Sequence, residues 1–247
     1  MAGHSKWANI KRQKARVDAK KNQTFTQLSR AIIVAARNGI PDPQGNFQLR
    51  TAIAKAKAAG VPNDSITKSI AKGAGTYQEA GAILEEIRYE GYGAGGVAIL
   101  IEALTDNRNR SAAEIRAAFS KNGGNLGETG CVSWMFEQKG VVTLEGEINE
   151  DTLLEVALDA GAESYEMIVD SDFTGAEIVT ETANLDHLAQ TLQDAGWTIS
   201  ESELRWLANN TIEVTDESQL RSLLKTISTL EALDDVQDVT ANCQLID

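Results

Sequence analysis

A group of cations around one tryptophan, close to the start of the chain, is the clearest set of residues that could do chemistry. The segment from Ala2 to Asn22, called the basic arm below, contains Trp7 and one acid, Asp18. Its basic residues are Lys6, Lys11, Arg12, Lys14, Arg16, Lys20 and Lys21. Cations attract phosphate backbones without reading base sequence, and an adjacent aromatic ring can stack on an unpaired base. The arm is therefore predicted to bind nucleic acid; the alternative is a solvated charged face with Trp7 in the core.

Further cations follow the arm at positions that the pattern assigns to helices. Lys55 and Lys57 fall on a predicted second helix and belong to the candidate nucleic-acid-binding set. Lys68 and Lys72 fall on a predicted third helix and could extend the same surface.

Arg108 and Arg110 form a second concentration of positive charge, between a predicted strand and a helix that begins near Ser111. Free backbone N–H groups at a helix start and guanidinium groups bind the same anions, so these residues could hold a phosphate or a carboxylate. The alternative is a capping loop in which either arginine pairs with neighbouring acids.

Enzyme and metal signatures are not met. The glycines from Gly91 to Gly96 precede a strand, whereas a dinucleotide-binding loop follows one. The two histidines, His4 and His187, have no Cys or His at ligand spacing. The acids of residues 139–208 are so numerous that no pair stands out as a tuned acid and base. We predict no catalytic residue, no metal and no cofactor, and therefore no enzyme.

Charge is sharply divided along the 247 residues. The net charge is −13, but residues 1–78 carry 14 basic and 3 acidic residues, a net +11. Residues 79–247 carry 9 basic and 33 acidic residues, a net −24. This division indicates a basic module attached to an acidic body. The acidic surface of residues 139–208 either aids solubility, binds a basic protein partner or restrains the protein's own basic module.

Hydropathy and cysteine content limit the protein class. The longest purely apolar run is Ala31–Ala36, far short of the about 20 residues that span a bilayer, and the first nine residues lack a secretory apolar core. Cys131 and Cys243 do not make a disulfide framework. We expect a soluble protein of a reducing compartment, with no membrane partner.

The elements that position these residues begin with a helical block. A Thr24–Gln27 capping box precedes an apolar pattern that ends at Gly39. A second helix ends at Gly60, and a third begins near Pro62 and ends at Gly73. Residues 1–78 are thus predicted to be a basic helical domain.

The rest of the chain reads as strands alternating with helices. An internal repeat with an offset of 35 residues aligns Gly140 with Gly175 and Asp159 with Asp194. Each copy reads strand, capped helix, strand, which indicates a split βαβ, ferredoxin-like domain over 139–208. The flanks supply predicted strands over 97–103, 132–136, 212–215 and 236–241, with helices over 111–121 and 217–230.

The flanking segments together complete a second domain of the same class. The predicted fold is therefore α+β: a helical bundle and two ferredoxin-like domains, one inserted into the other. The discontinuous domain comprises 79–138 and 209–247, and the inserted acidic domain comprises 139–208. The alternative is one continuous eight-stranded sheet. In the inserted arrangement Cys131 and Cys243 lie at opposite sheet edges, so no disulfide is expected.

Several motifs resemble those of the YebC/PmpR family. They are Met1–Lys11 (MAGHSKWANIK), Phe25-Thr26, Ala52–Lys57, Tyr89–Gly93 (YEGYG), Leu104–Arg110 (LTDNRNR) and Gly123–Gly127 (GGNLG). The resemblance runs over the whole chain and is most specific in the first 140 residues. The chain departs from the family pattern at three places. Ala94 stands where Pro is usual, Cys131 where Ser is usual, and Asn22-Gln23 where Gly-Lys is usual.

The resemblance implies a cytoplasmic, non-enzymatic protein with a helical N-terminal domain and two α+β domains. Family members are mostly described as DNA-binding transcriptional regulators, and others, including a mitochondrial translational activator, are tied to ribosomes. We therefore expect a nucleic-acid-binding regulator of gene expression. The alternatives are a translation factor associated with ribosomal RNA, and an adaptor that uses its acidic domains to bind proteins.

Overall fold

A computed structural model describes residues 25–77, 84–169 and 173–244. Within these ranges unit 1 contains 25–31, 84–137 and 207–244, and unit 2 contains 32–77, 138–169 and 173–206. In chain order the elements are α1 (Phe25–Asn38), α2 (Phe47–Ala58), α3 (Asn63–Gly73), β1 (Glu85–Tyr92), β2 (Ala98–Thr105), α4 (Arg108–Lys121), β3 (Asn125–Leu126), β4 (Phe136–Glu145), α5 (Glu150–Asp159), β5 (Ala162–Val169), β6 (Thr174–Thr180), α6 (Leu185–Asp194), β7 (Thr198–Ala208), β8 (Ile212–Glu213), α7 (Glu217–Glu231), β9 (Val236–Ala241) and β10 (Cys243–Gln244). None of the helices in these ranges is both long enough and apolar enough to cross a bilayer.

Helices α1 to α3 form the predicted helical block. The Asn46 side chain caps α2 by accepting a hydrogen bond from the Leu49 N–H at 2.9 Å. Its amide nitrogen also donates to the carbonyls of Ala35 and Ile40, so one buried side chain joins the end of α1 to the start of α2. A Cβ at Gly73 would stand 2.5 Å from the Ile33 carbonyl oxygen, so this glycine permits close packing of α3 on α1.

The first sheet, in unit 1, has the strand order β3-β1-β2-β9. Its three pairings are all antiparallel, and β1 and β2 form a hairpin in which Tyr92 opposes Ala98. Helices α4 and α7 contribute to one buried core with this sheet. The core includes Ile99, Ile101, Ile115, Phe119, Leu223 and Ile227. Apolar burial of this kind is the main favourable term in folding.

Two strands predicted for this part of the chain are placed wrongly. Over 132–136, Ser133–Met135 form a short 3-10 turn, and strand β4 begins only at Phe136. The alternation of Val132, Trp134 and Phe136 imitates a strand, but the N–H groups of Val132 and Ser133 donate to the Glu90 carboxylate instead of to a neighbouring strand.

The second misplaced strand, over 212–215, is reduced to Ile212–Glu213. It pairs in parallel with Cys243–Gln244 in a separate two-stranded sheet. Strand β1 was not predicted, because charged residues occupy half of its eight positions and hide its alternation.

The second sheet, in unit 2, has the strand order β5-β6-β4-β7. Numbered along the chain as first to fourth, these strands stand in the order second, third, first, fourth, which is the order of the split βαβ fold. Helices α5 and α6 pack against it through Leu153, Ala157, Leu188 and Leu192, which share a core with Val142 and Ile178 of the sheet.

The mixed α+β class with N-terminal helices is confirmed. The eight main strands lie in two separate four-stranded sheets rather than in one. The second sheet is built from residues 136–208, and the strands of the first sheet lie on either side of that segment. The domain boundaries at 78/79, 138/139 and 208/209 stay predictions. Cys131 and Cys243 are both free thiols, and burial raises the pKa of Cys243 to about 12.

Candidate nucleic-acid interface

The residues of the predicted arm lie outside the described residues. They are Lys6, Trp7, Lys11, Arg12, Lys14, Arg16, Lys20 and Lys21. The described part of the basic module is residues 25–77, which carry seven basic side chains and two acids, Asp42 and Asp64.

Lysines on α2 and α3 present positive charge to solvent. Lys57 and Lys68 are exposed, and the structure pairs neither with an acid in the ranges it describes. Lys72 lies one turn after Lys68 on α3, so the two share a helix face, and its ammonium stands 5.2 Å from the centre of the Tyr77 ring. Lys55, by contrast, is paired at 2.7 Å with Glu201, and both side chains are partly exposed. Among the described lysines of α2 and α3, those available to phosphates are therefore Lys57, Lys68 and Lys72.

Asp235 lies at the centre of a buried polar cluster in unit 1. Its carboxylate accepts hydrogen bonds from Ser111 Oγ at 2.6 Å, Thr105 Oγ1 at 2.9 Å and Arg110 Nη2 at 2.8 Å, and Arg30 Nη1 lies 2.6 Å away. Burial alone would raise the pKa of Asp235. The hydrogen bonds from Ser111, Arg110 and Thr105 and the charge of Arg30 outweigh burial and lower the pKa to about 2. Asp235 is therefore an anion at neutral pH, and it binds two arginines.

The first turns of α1 also cap the C-terminal end of α7. Gln27 Nε2 donates to the carbonyls of Glu231, at 2.9 Å, and Leu233, at 3.1 Å. Arg30 donates to the carbonyl of Asp234. The last carbonyls of a helix lack partners within the helix and carry partial negative charge, so an amide and a cation satisfy them. These contacts fix the start of α1, which directly follows the arm, within unit 1.

The structure gives Arg108 and Arg110 carboxylate partners. Asn107 caps α4 by accepting from the Arg110 N–H at 3.1 Å. The Arg110 guanidinium binds both Asp106, at 2.8 Å, and Asp235. Arg108 lies 3.4 Å from Glu85, and both side chains are exposed. A phosphate here would have to displace Asp106 or Glu85, so anion binding at this loop stays a prediction.

The Asp235 cluster brings together residues that lie far apart in the sequence. Arg30 lies on α1, and Arg110 lies in the first turn of α4, yet both bind one carboxylate. Helix α4 begins at Arg108, three residues before the predicted start near Ser111, because Asn107 caps it. Sequence reasoning missed Asp235 and Arg30, and it assigned Gln27 only to a cap at the start of α1. Asp234-Asp235 reads as an ordinary acidic turn, and no local pattern links it to a helix that begins more than 200 residues earlier.

Positive charge in the acidic region 139–208 is engaged internally. Its two basic residues face 16 acids. Lys139 binds Glu163 and Glu181 at 3.1 and 2.7 Å. Arg205 is buried and binds Glu177 and Glu203 at 2.7 and 2.8 Å. This region therefore offers no unpaired cation to a phosphate.

The described ranges contain no cluster of three His, Cys, Asp or Glu side chains able to hold a metal ion.

Known proteins similar to this chain give a consistent result. The model of the TACO1/YebC protein N-terminal domain matches residues 5–76, and that of the TACO1/YebC second and third domain matches residues 84–243. A protein from Picosynechococcus sp. is 71% identical over 242 residues, 98% of this chain and 96% of that protein. One from Gloeothece citriformis is 70% identical over 247 residues, 100% of this chain and 97% of that protein. Both carry the name "Probable transcriptional regulatory protein".

A solved structure is also similar. The crystal structure of the conserved hypothetical protein Aq1575 from Aquifex aeolicus is 41% identical, covers 94% of each chain and has a TM-score of 0.79. Family models cover the helical block and both sheets, and the sequence motifs had indicated the same family. The chain therefore belongs to the TACO1/YebC family.

Proposed function

We propose that this protein is a non-enzymatic, cytoplasmic regulator of gene expression that binds nucleic acid through its basic N-terminal module. The observation that carries the proposal is the distribution of available cations. Lys57, Lys68 and Lys72 are exposed on α2 and α3, whereas the bases of the acidic region are paired internally. The names of the similar proteins support a regulatory role in transcription.

The residues of the basic module indicate how a nucleic acid is contacted, and the names of the similar proteins indicate which nucleic acid it is. None of the described basic residues falls in a helix with the Asn, Gln and Arg spacing that reads bases in the major groove, so contact with phosphates is the main mode proposed. Promoter DNA is the first candidate target because of the relatives' names. Structured RNA, including ribosomal RNA, is the alternative, and it would make the protein a translation factor.

A charge-removal experiment tests the proposed surface. The triple variant Lys57→Gln, Lys68→Gln and Lys72→Gln removes three exposed cations. The logarithm of the binding constant for duplex DNA falls linearly with log salt, and each lost phosphate contact should reduce the steepness of that fall by about 0.9. We expect the slope to fall by about 3. The matched control removes three exposed cations from α4 and α7 of unit 1, so its net charge equals that of the triple lysine variant. It carries Arg116→Gln, Arg221→Gln and Lys225→Gln.

Equal losses in the two triple variants would show that only net charge matters, and the proposed surface would be wrong. The target class is tested separately, by crosslinking in cells followed by sequencing of the bound nucleic acid. Enrichment of promoter DNA supports the transcriptional role, and enrichment of ribosomal RNA replaces it with the translational one.

A further inference from the structure

Two exposed aromatic side chains in unit 1 share one hydrogen-bond acceptor. Trp134 is 67% exposed, although large apolar rings are normally mostly buried. Its Nε1–H donates to the Cys131 carbonyl at 3.2 Å, and the hydroxyl of Tyr92, 36% exposed, donates to the same carbonyl at 3.0 Å. The polar atoms of both side chains are therefore satisfied within the protein, and what they offer to a ligand is ring surface.

The backbone that carries Trp134 is held on both sides of the ring. Before it, the buried Glu90 carboxylate accepts the N–H groups of Gly130, Val132 and Ser133 at 2.7 to 2.8 Å. Burial opposes the charge of Glu90, but these three hydrogen bonds and one from the Ser133 side chain outweigh it and leave its pKa lowered. After the ring, the Met135 carbonyl accepts the Asn209 N–H at 2.8 Å.

This arrangement is pre-organised for binding. An exposed tryptophan on a mobile loop would lose conformational freedom when a ligand ordered it, which weakens binding. On this loop the backbone hydrogen bonds and the indole hydrogen bond have already fixed the ring.

We propose that Trp134, with Tyr92 beside it, is a stacking platform for an unpaired nucleobase of single-stranded or looped nucleic acid. The inference rests on the proposed function and extends it, because it names unpaired bases as part of the ligand. A single flat ring matches one base in size, and stacking on it does not depend on base identity. Docking of a protein usually needs a contiguous apolar patch of several hundred Å².

The charges near the platform fit a base rather than a phosphate. Glu128 and Glu137, its exposed charged neighbours in the sequence, are acidic and would repel a phosphate group. An uncharged nucleobase stacked on the ring would lie next to these acids, and the phosphates of its strand would have to point away from them.

The test measures the affinity of the full-length chain for a 12-nucleotide oligouridylate and for a 20-base-pair DNA duplex. Stacking contributes about 1–3 kcal/mol per base, so Trp134→Ala should weaken oligouridylate binding by about 5- to 150-fold and leave duplex binding unchanged. Trp134→Phe retains a ring and should lose less. Leu158→Ala, on the exposed face of α5, is the matched control for loss of an exposed apolar side chain and should change neither affinity.

Fluorescence gives a second readout. Oligouridylate should quench the part of the emission that is present in the wild type and absent in Trp134→Phe. The platform is wrong if Trp134→Ala binds oligouridylate as tightly as the wild type, or if the variant instead loses association with a protein. If Trp134→Ala binds oligouridylate normally while the triple lysine variant loses nucleic-acid binding, the proposed function is supported and the stacking platform is wrong. If the wild type binds neither probe, both proposals fail.

Discussion

At the scale of single residues, the buried carboxylates organise unit 1 more than the exposed cations do. Asp235 binds Arg30 and Arg110, and Glu90 binds the loop before Trp134. Neither acid was singled out from the sequence, where both stand in strongly acidic surroundings. Both are charged at neutral pH because hydrogen-bond donors surround them, so their removal leaves donors and cations without partners.

Asp235→Asn should destabilise the protein by about 2 kcal/mol, because a pKa lowered from 3.8 to about 2 corresponds to that stabilisation of the charged form. The lowered pKa makes this stability fully present above about pH 4 and lost as pH falls from about 4 toward 2. Urea unfolding at pH 7 and at pH 3 measures both effects. Glu213→Gln, an exposed acid of unit 1, is the control, and a variant as stable as this control would contradict the role of Asp235.

At the scale of elements, glycines decide how closely the strands of the first sheet approach their neighbours. Gly91 lies on β1 opposite β3, and a Cβ there would stand 2.6 Å from the Asn125 carbonyl oxygen and 2.7 Å from the Phe119 ring. At Gly124 a Cβ would stand 2.7 Å from the Tyr92 carbonyl oxygen. These contacts explain why the YEGYG and GGNLG motifs are rich in glycine.

Gly91→Ala should therefore destabilise the protein by about 3 kcal/mol, the upper end of the usual cost of overpacking, because backbone and a buried ring cannot both move away. The matched control is Gly45→Ala, whose new Cβ would make one ordinary contact at 3.6 Å with Ile40 and should change stability by less than about 0.5 kcal/mol. Denaturant unfolding compares the two. Equal stabilities would show that β3 can shift without cost.

The helices were predictable because their signals are local. Asn46 and Asn107 cap α2 and α4, and each copy of the repeat indicated one helix, which the structure shows as α5 and α6. The strands over 132–136 and 212–215 were predicted wrongly, because the alternation of apolar residues does not show which group accepts the backbone hydrogen bonds. At Val132 the partner is the side chain of Glu90, which lies on strand β1, 42 residues earlier.

At the scale of the whole molecule, the separation of charge along the chain is the property that bears on binding. The net charge of −13 combines a basic segment of +11 with an acidic remainder of −24. An acidic protein overall repels a polyanion at long range, but at physiological salt that repulsion is screened beyond about 8 Å. Local cations then determine where a polyanion binds.

Deletion of residues 1–22 should weaken binding to duplex DNA and to RNA and reduce its dependence on salt. If six of the arm's seven cations contact phosphates, the slope of log K against log salt should fall by about 5. Filter binding between 50 and 300 mM salt measures the slope. A variant of the full chain with the arm's lysines and arginines replaced by glutamine separates charge from length, and an unchanged slope in both would eliminate the arm as a binding element.

The amino-acid sequence by itself determined the class of the fold, the helical block, the repeat that forms the second sheet and the family, because these depend on periodicity, caps and motifs that are local in the chain. It also placed the positive charge in residues 1–78. Only the tertiary structure paired Arg30 with Asp235, Lys55 with Glu201, and Trp134 with the carbonyl that it shares with Tyr92. Whether a cation is available, or a ring exposed, depends on neighbours supplied by distant segments, and no local pattern encodes them.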